Sequence, residues 1–133
     1  MFIRIQPDNG IAIYDQVVRQ IKFAVADGAV RSGELIPSVR ELARQLAINP
    51  NTVTRAYRQL QDEGVLNVVR GTGLAVAPRA AERCRKQRID LIRVRLRHVL
   101  EEASHSGLEP TEIQQLVREE SQQIEPAPRK VQP

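Results

Sequence analysis

The stretch Pro37-Ser38-Val39-Arg40-Glu41-Leu42-Ala43-Arg44-Gln45-Leu46-Ala47-Ile48-Asn49-Pro50-Asn51-Thr52-Val53-Thr54-Arg55-Ala56-Tyr57-Arg58-Gln59-Leu60 decides the fold. Ser38 stands three residues before Glu41, the Ser-x-x-Glu spacing in which each side chain answers a free amide at a helix start. Val39, Leu42, Ala43 and Leu46 follow at helical spacing and predict one buried stripe. A second start comes at once. Asn49 can accept from the free amides of a next helix, and Pro50 suits its first position because no amide is needed there. Val53, Ala56, Tyr57 and Leu60 mark the inner face of that helix, and Gly64 ends it. Only a few residues around Ala47 and Ile48 separate the two helices. Short helices joined that tightly are a helix-turn-helix.

Towards the N-terminus, Ile13, Val17, Val18, Ile21, Ala24 and Val25 form another helical stripe, stopped by Gly28. Beyond Gly64 the composition switches to Val65, Leu66, Val68 and Val69, a β-prone run. Arg70-Gly71-Thr72-Gly73 is turn chemistry, and Leu74-Ala75-Val76 returns as a second strand. Three helices and a hairpin make a winged helix-turn-helix over residues 1–78, closed by Pro78. From Arg79 to about Ser104 a long helix is expected. Its residues Ile89, Ile92, Leu96, Val99 and Ala103, with Leu100 beside them, recur like the seam of a coiled coil. His105-Ser106-Gly107 breaks it, and Pro110 opens a last helix carrying Ile113, Leu116, Val117 and, at its end, Ile124. The expected class is therefore α+β and mainly helical, with a two-helix dimerisation tail over 79–125. Residues 126–133, rich in Pro and charge, read as a disordered end.

Composition narrows the partners. Of 133 residues 41% are apolar but only 3% aromatic, with no Trp. The core must be built from Val, Ile, Leu and Ala, and Phe2, Tyr14, Phe23 and Tyr57 read as packing residues. Single-stranded nucleic-acid binders, which stack bases on exposed rings, are disfavoured. A net charge of +4 and a pI near 9.8 permit a polyanionic partner without demanding one. Cys84, the single cysteine, excludes an internal disulfide and fits a reducing compartment. No stretch has the length of a signal peptide's apolar segment or of a membrane span, so a soluble, cytoplasmic protein with no membrane partner is expected.

The outward side of the third helix presents Asn51, Thr54, Arg55 and Arg58, with Thr52 at its edge. Recognition helices read bases from their N-terminal turns, where these residues cluster. Asn can pair bidentately with adenine and Arg with guanine, while Thr can meet a thymine methyl or a phosphate. Asn49 can cap the helix or touch DNA. Arg40, in the first turn of the second helix, suits a phosphate contact. Arg70, Gly71 and Thr72 sit at the hairpin tip, where glycine lets the backbone approach a phosphate or enter the minor groove.

These residues carry a family resemblance. Ile13-Tyr14-Asp15-Gln16, Pro37-Ser38-Val39-Arg40-Glu41-Leu42-Ala43, Asn49-Pro50-Asn51-Thr52-Val53-Thr54-Arg55-Ala56-Tyr57, Gly64-Val65 and Arg70-Gly71-Thr72-Gly73 together resemble the GntR family of bacterial transcriptional regulators. The Asn-Pro-Asn-Thr-Val form and the short tail look like its YtrA-type subfamily. The resemblance implies a double-stranded DNA operator as partner and contact roles for Arg40, Asn51, Thr52, Arg70 and Gly71. It also implies a homodimer joined by the short tail, and transporter operons as targets. The family's common pattern has arginines where this chain has Pro50 and Thr54, so its base preference does not carry over.

The first 78 residues hold nine Lys and Arg against seven Asp and Glu, so DNA binding must rely on local placement. Arg79 to Arg97 hold eight basic residues against Glu82 and Asp90, which either are solvated or brush flanking phosphates. The apolar seam points to a partner surface, Ile89, Ile92, Leu96, Val99, Leu100, Ala103, Ile113, Leu116 and Val117 being the candidate dimer contacts; folding back as a monomer is the alternative. A small-molecule effector, if there is one, would have to bind between subunits. His98 and His105, with Glu101 and Glu102 between them, either hold a metal at the seam or face solvent, and no metal or cofactor is expected. Cys84 reads as a bystander, with redox sensing its alternative. No phosphate loop and no nucleophile with an evident base is present, so an enzyme is not expected. The rival to a DNA reader is a winged module for protein–protein contact.

Overall fold

A computed structural model describes residues 3–125; the tail read as disordered and Phe2 lie outside them. Its elements are α1 (Ile13–Asp27), α2 (Val39–Leu46), α3 (Pro50–Asp62), β1 (Leu66–Val69), β2 (Gly73–Val76), α4 (Ala80–His105) and α5 (Pro110–Gln123). One compact unit runs to Asp90, past the boundary expected at Pro78, and a second begins at Leu91. The reason is local. Ala80 and Cys84, in the first turns of α4, are fully buried in the core of the first unit.

Several helix ends have a visible cause. Ser38 Oγ accepts from the Glu41 amide at 3.1 Å, while Glu41 Oε1 accepts from the Ser38 amide, so the capping box is complete. Asn49 Oδ1 accepts from the Asn51 amide at 2.8 Å, with Pro50 at the first position of α3. Ala47 ends α2 with φ +54°, a left-handed residue without the help of glycine. That bend starts the tight turn between the two helices. Ile124 lies beyond the end of α5, because the helix stops at Gln123 and the chain becomes extended at Ile124.

The core joins Val17, Val18, Ile21 and Val25 of α1 to Leu42 and Ala43 of α2 and to Val53, Ala56, Tyr57 and Leu60 of α3. The hairpin is antiparallel, with Leu66 opposite Val76 and Val69 opposite Gly73. Leu66 and Val76 point into the core. Gly33 donates to the Val76 carbonyl at 2.8 Å, Ile36 to the Leu74 carbonyl at 2.9 Å, and Val76 to the Glu34 carbonyl at 3.0 Å. Residues 33–36 thus line the free edge of β2, with Leu35 bridging Ala75. The hairpin is anchored on both sides of β2. Pattern reading missed this segment because Leu35 and Ile36 are too short a run to signal a strand.

The N-terminal segment is clasped to α1 by two glutamines acting as backbone surrogates. Gln16 accepts from the Gln6 amide and donates to the Gln6 carbonyl, each at 2.8 Å. Gln20 does the same for Arg4. Four helical residues advance about 6 Å and two extended residues about 6.6 Å, so the two pairs fit one register. Ile3 is thereby held in the core.

Arg83 closes the far end of α3. Its guanidinium donates to the Gly64 carbonyl at 2.7 Å and to the Glu63 carbonyl at 3.4 Å, where the helix dipole and unpaired carbonyls favour a cation. Gly64 has φ +74°, and a Cβ there would lie 2.6 Å from Arg83 Nη1. Gly64→Ala is therefore expected to lower unfolding free energy by about 1–2 kcal/mol, the cost of a left-handed alanine. Urea denaturation followed by circular dichroism measures it; an unchanged midpoint would show that the turn relaxes freely.

Candidate nucleic-acid interface

The inner face of α3 is fully committed. Val53, Ala56, Tyr57 and Leu60 are buried, and the Tyr57 hydroxyl donates to the Pro37 carbonyl at 2.8 Å, tying α3 to the approach of α2. Burial, followed by the nearby Glu41 carboxylate, pushes the Tyr57 phenol well above its usual range. It stays neutral and serves as a structural donor.

With that face fixed, the rest follows from helical geometry. Asn51, Arg55 and Arg58 fall within about 60° of one another at about 100° per residue, opposite the core, and all three are exposed. Thr52 and Thr54 flank them on either side, half-buried. Asn51 and Thr52 occupy the first turn of α3, which presents its N-terminal end. Asn49, next to them, commits its side-chain oxygen to the helix cap. Arg40 is exposed in the first turn of α2. Arg70, Gly71 and Thr72 are all exposed at the hairpin tip, where Gly71 has φ +76°. The wing also exposes Val68.

Two contacts that hold α3 were missed by pattern reading. The Arg55 guanidinium lies over the Tyr14 ring of α1, 3.6 Å from its centroid. Lys22 of α1, buried, pairs with Glu63 at the C-cap of α3 at 2.7 Å. A lysine on an otherwise apolar stripe was the available signal for the second; nothing in the spacing marks the first.

Other sequence candidates resolve differently. Cys84 is fully buried and packs in the core, where burial pushes its thiol pKa up. His98 and His105 sit on α4 roughly opposite the Ile89–Leu96 stripe by the same angular count. Among the described residues no group of three or more His, Cys, Asp or Glu could hold a metal ion, and no helix is long and apolar enough to cross a membrane.

A tri-helical core with a hairpin wing, presenting a polar N-terminal helix turn and an arginine-tipped loop, is the winged helix-turn-helix of DNA-binding regulators. Residues 13–76 match the model of bacterial regulatory proteins of the gntR family. The HTH-type transcriptional repressor YtrA of Bacillus subtilis (strain 168) is 31% identical over 122 residues, 92% of this chain and 94% of that one. The chain belongs to the GntR family, is YtrA-like, and is a DNA-binding transcriptional regulator. Solved structures agree. A GntR family transcriptional regulator from Listeria monocytogenes matches with a TM-score of 0.65 at 32% identity, covering 84% of this chain and 97% of that one. YtrA from Sulfolobus acidocaldarius, a GntR-family transcription factor, matches at 0.56 and 32%, covering 76% and 99%.

Proposed function

We propose that the chain is a homodimeric repressor that binds a palindromic operator, each winged unit reading one half-site. The observation that carries this reading is the outward face of α3, where Asn51, Arg55 and Arg58 stand exposed together over a buried Val53–Ala56–Tyr57–Leu60 face. In this reading α3 lies in the major groove, with Thr52 and Thr54 at its margins. Arg40 meets a phosphate at the groove edge, and Arg70, Gly71 and Thr72 meet the backbone or minor groove at the wing.

The tail makes the dimer. Ile89, Ile92, Leu96 and Val99 are 56%, 51%, 50% and 54% exposed, a contiguous apolar stripe on one helix face. α5 contains no buried residue, and its Leu116 and Val117 stand open beside a half-buried Ile113. Apolar stripes on both helices suit a second copy of the same tail, with Leu100 and Ala103 on the seam. Two-fold pairing then matches a palindrome with half-sites about one helical turn apart, ~34–36 Å. Repression is taken from the Bacillus relative, and a transporter operon as target from the subfamily resemblance. An effector would act by changing the spacing of the two winged units.

A gel-shift titration against the promoter of its own operon, at two salt concentrations, tests the reading with wild type and Asn51→Ala. The expected result is tight, salt-sensitive binding to one palindromic fragment, weakened in the variant by about 5- to 150-fold for a lost bidentate base contact. A wild type that binds this fragment and random DNA alike, and enriches nothing from a randomised duplex pool, sinks it.

A further inference from the structure

Arg55 is an outward residue of α3 that a neighbouring element grips. Its guanidinium lies 3.6 Å from the centre of the Tyr14 ring, at a shallow hollow lined by Ile13, Tyr14, Asn51, Thr52 and Arg55. A guanidinium stacked flat on a ring uses its π face, so its in-plane N–H donors remain available. The stack also removes rotamer freedom before DNA arrives, which lowers the ordering cost of a bidentate contact. Tyr14 itself is fixed by the helix it belongs to, because α1 is bound to α3 through Val17, Val18 and Ile21 in the shared core.

We propose that Tyr14 is a positioning residue for DNA recognition: its ring holds the Arg55 guanidinium edge-on for the paired acceptors of a guanine in the major groove. This rests on the operator-reading role of α3 proposed above. The ring is what matters, and the hydroxyl is incidental. Arg55 makes the base contact, and Tyr14 acts through it.

The test is a double-mutant cycle on DNA binding. The probe is a duplex enriched by the wild-type protein from a randomised pool, beside a scrambled duplex of equal length. Fluorescence anisotropy is read for wild type, Tyr14→Phe, Tyr14→Leu, Arg55→Ala and Tyr14→Leu with Arg55→Ala. Tyr14→Phe should bind as wild type. Tyr14→Leu should weaken the enriched duplex about three- to fivefold, the scale of an exposed cation–π contact, and leave the scrambled duplex unchanged. In the Arg55→Ala background it should cost nothing more. An equal loss in both backgrounds, the signature of a merely structural defect, would overturn the proposal, as would Tyr14→Phe behaving like Tyr14→Leu. If the pool yields an enriched duplex that Arg55→Ala weakens and Tyr14→Leu does not, Tyr14's role alone fails. If the pool yields nothing, the operator reading fails and this inference falls with it.

Discussion

Leu96→Glu is expected to sediment as a monomer and to bind a palindromic duplex about 100-fold or more weakly than wild type. Leu96 stands at the middle of the stripe formed by Ile89, Ile92 and Val99 and is half exposed in the single chain. At a two-fold seam the substituted carboxylate would face its own symmetry mate in an apolar setting, unpaired and repelled. Losing the dimer turns one bivalent binding event into two independent ones, and linked half-sites commonly gain about 10²–10⁴ in avidity. The winged unit should be untouched, since it ends at Asp90. Binding of a single half-site duplex therefore serves as the internal control and should match wild type. Sedimentation velocity and anisotropy separate the cases. A dimeric Leu96→Glu would place the dimer contact elsewhere, and a monomer with undiminished affinity would show that dimerisation does not contribute to operator binding.

Glu63→Ala is expected to lower stability by about 2–3 kcal/mol, whereas Lys22→Met should stay within about 1 kcal/mol of wild type. The asymmetry comes from burial. The Lys22 side chain is 6% exposed and that of Glu63 31%, with 2.7 Å between Nζ and Oε1. Removing the acid strands a buried ammonium. Removing the lysine leaves a carboxylate whose Oε2 is already buried without a partner but whose side chain is open enough to swing out to water, while methionine fills the same straight-chain space. The figure for Glu63→Ala sits below the ~3–5 kcal/mol of a fully buried pair because Glu63 is partly open to solvent. For a folding unit of this size each kcal/mol is worth about 4–8 °C, so the first variant should melt about 10–20 °C early. Thermal denaturation by circular dichroism checks both. Equal destabilisation by the two variants would mean that the pair itself, and not the stranded charge, carries the energy. Because Glu63 is the C-cap of α3, the same pair fixes the helix that presents Asn51, Arg55 and Arg58.

What the sequence by itself determined is local. Ser38 with Glu41, Asn49 with Pro50, and Gly28 with Gly64 place the helix ends, because capping and left-handed turns act within a few residues. The spacing of Val53, Ala56, Tyr57 and Leu60 determined which side of α3 is buried and hence which side is free. Only the tertiary structure decided the rest. The Tyr14–Arg55 stack joins residues forty-one positions apart, and the Lys22–Glu63 pair joins residues equally distant along the chain. Arg83, read in the sequence as one charge in a basic run, caps α3 instead. Cys84 and Ala80 belong to the core of the winged unit although they lie beyond Pro78. No periodicity encodes such contacts, since each depends on how two separately legible helices cross. The sequence determines the faces that helices offer; packing decides which residues from different faces meet.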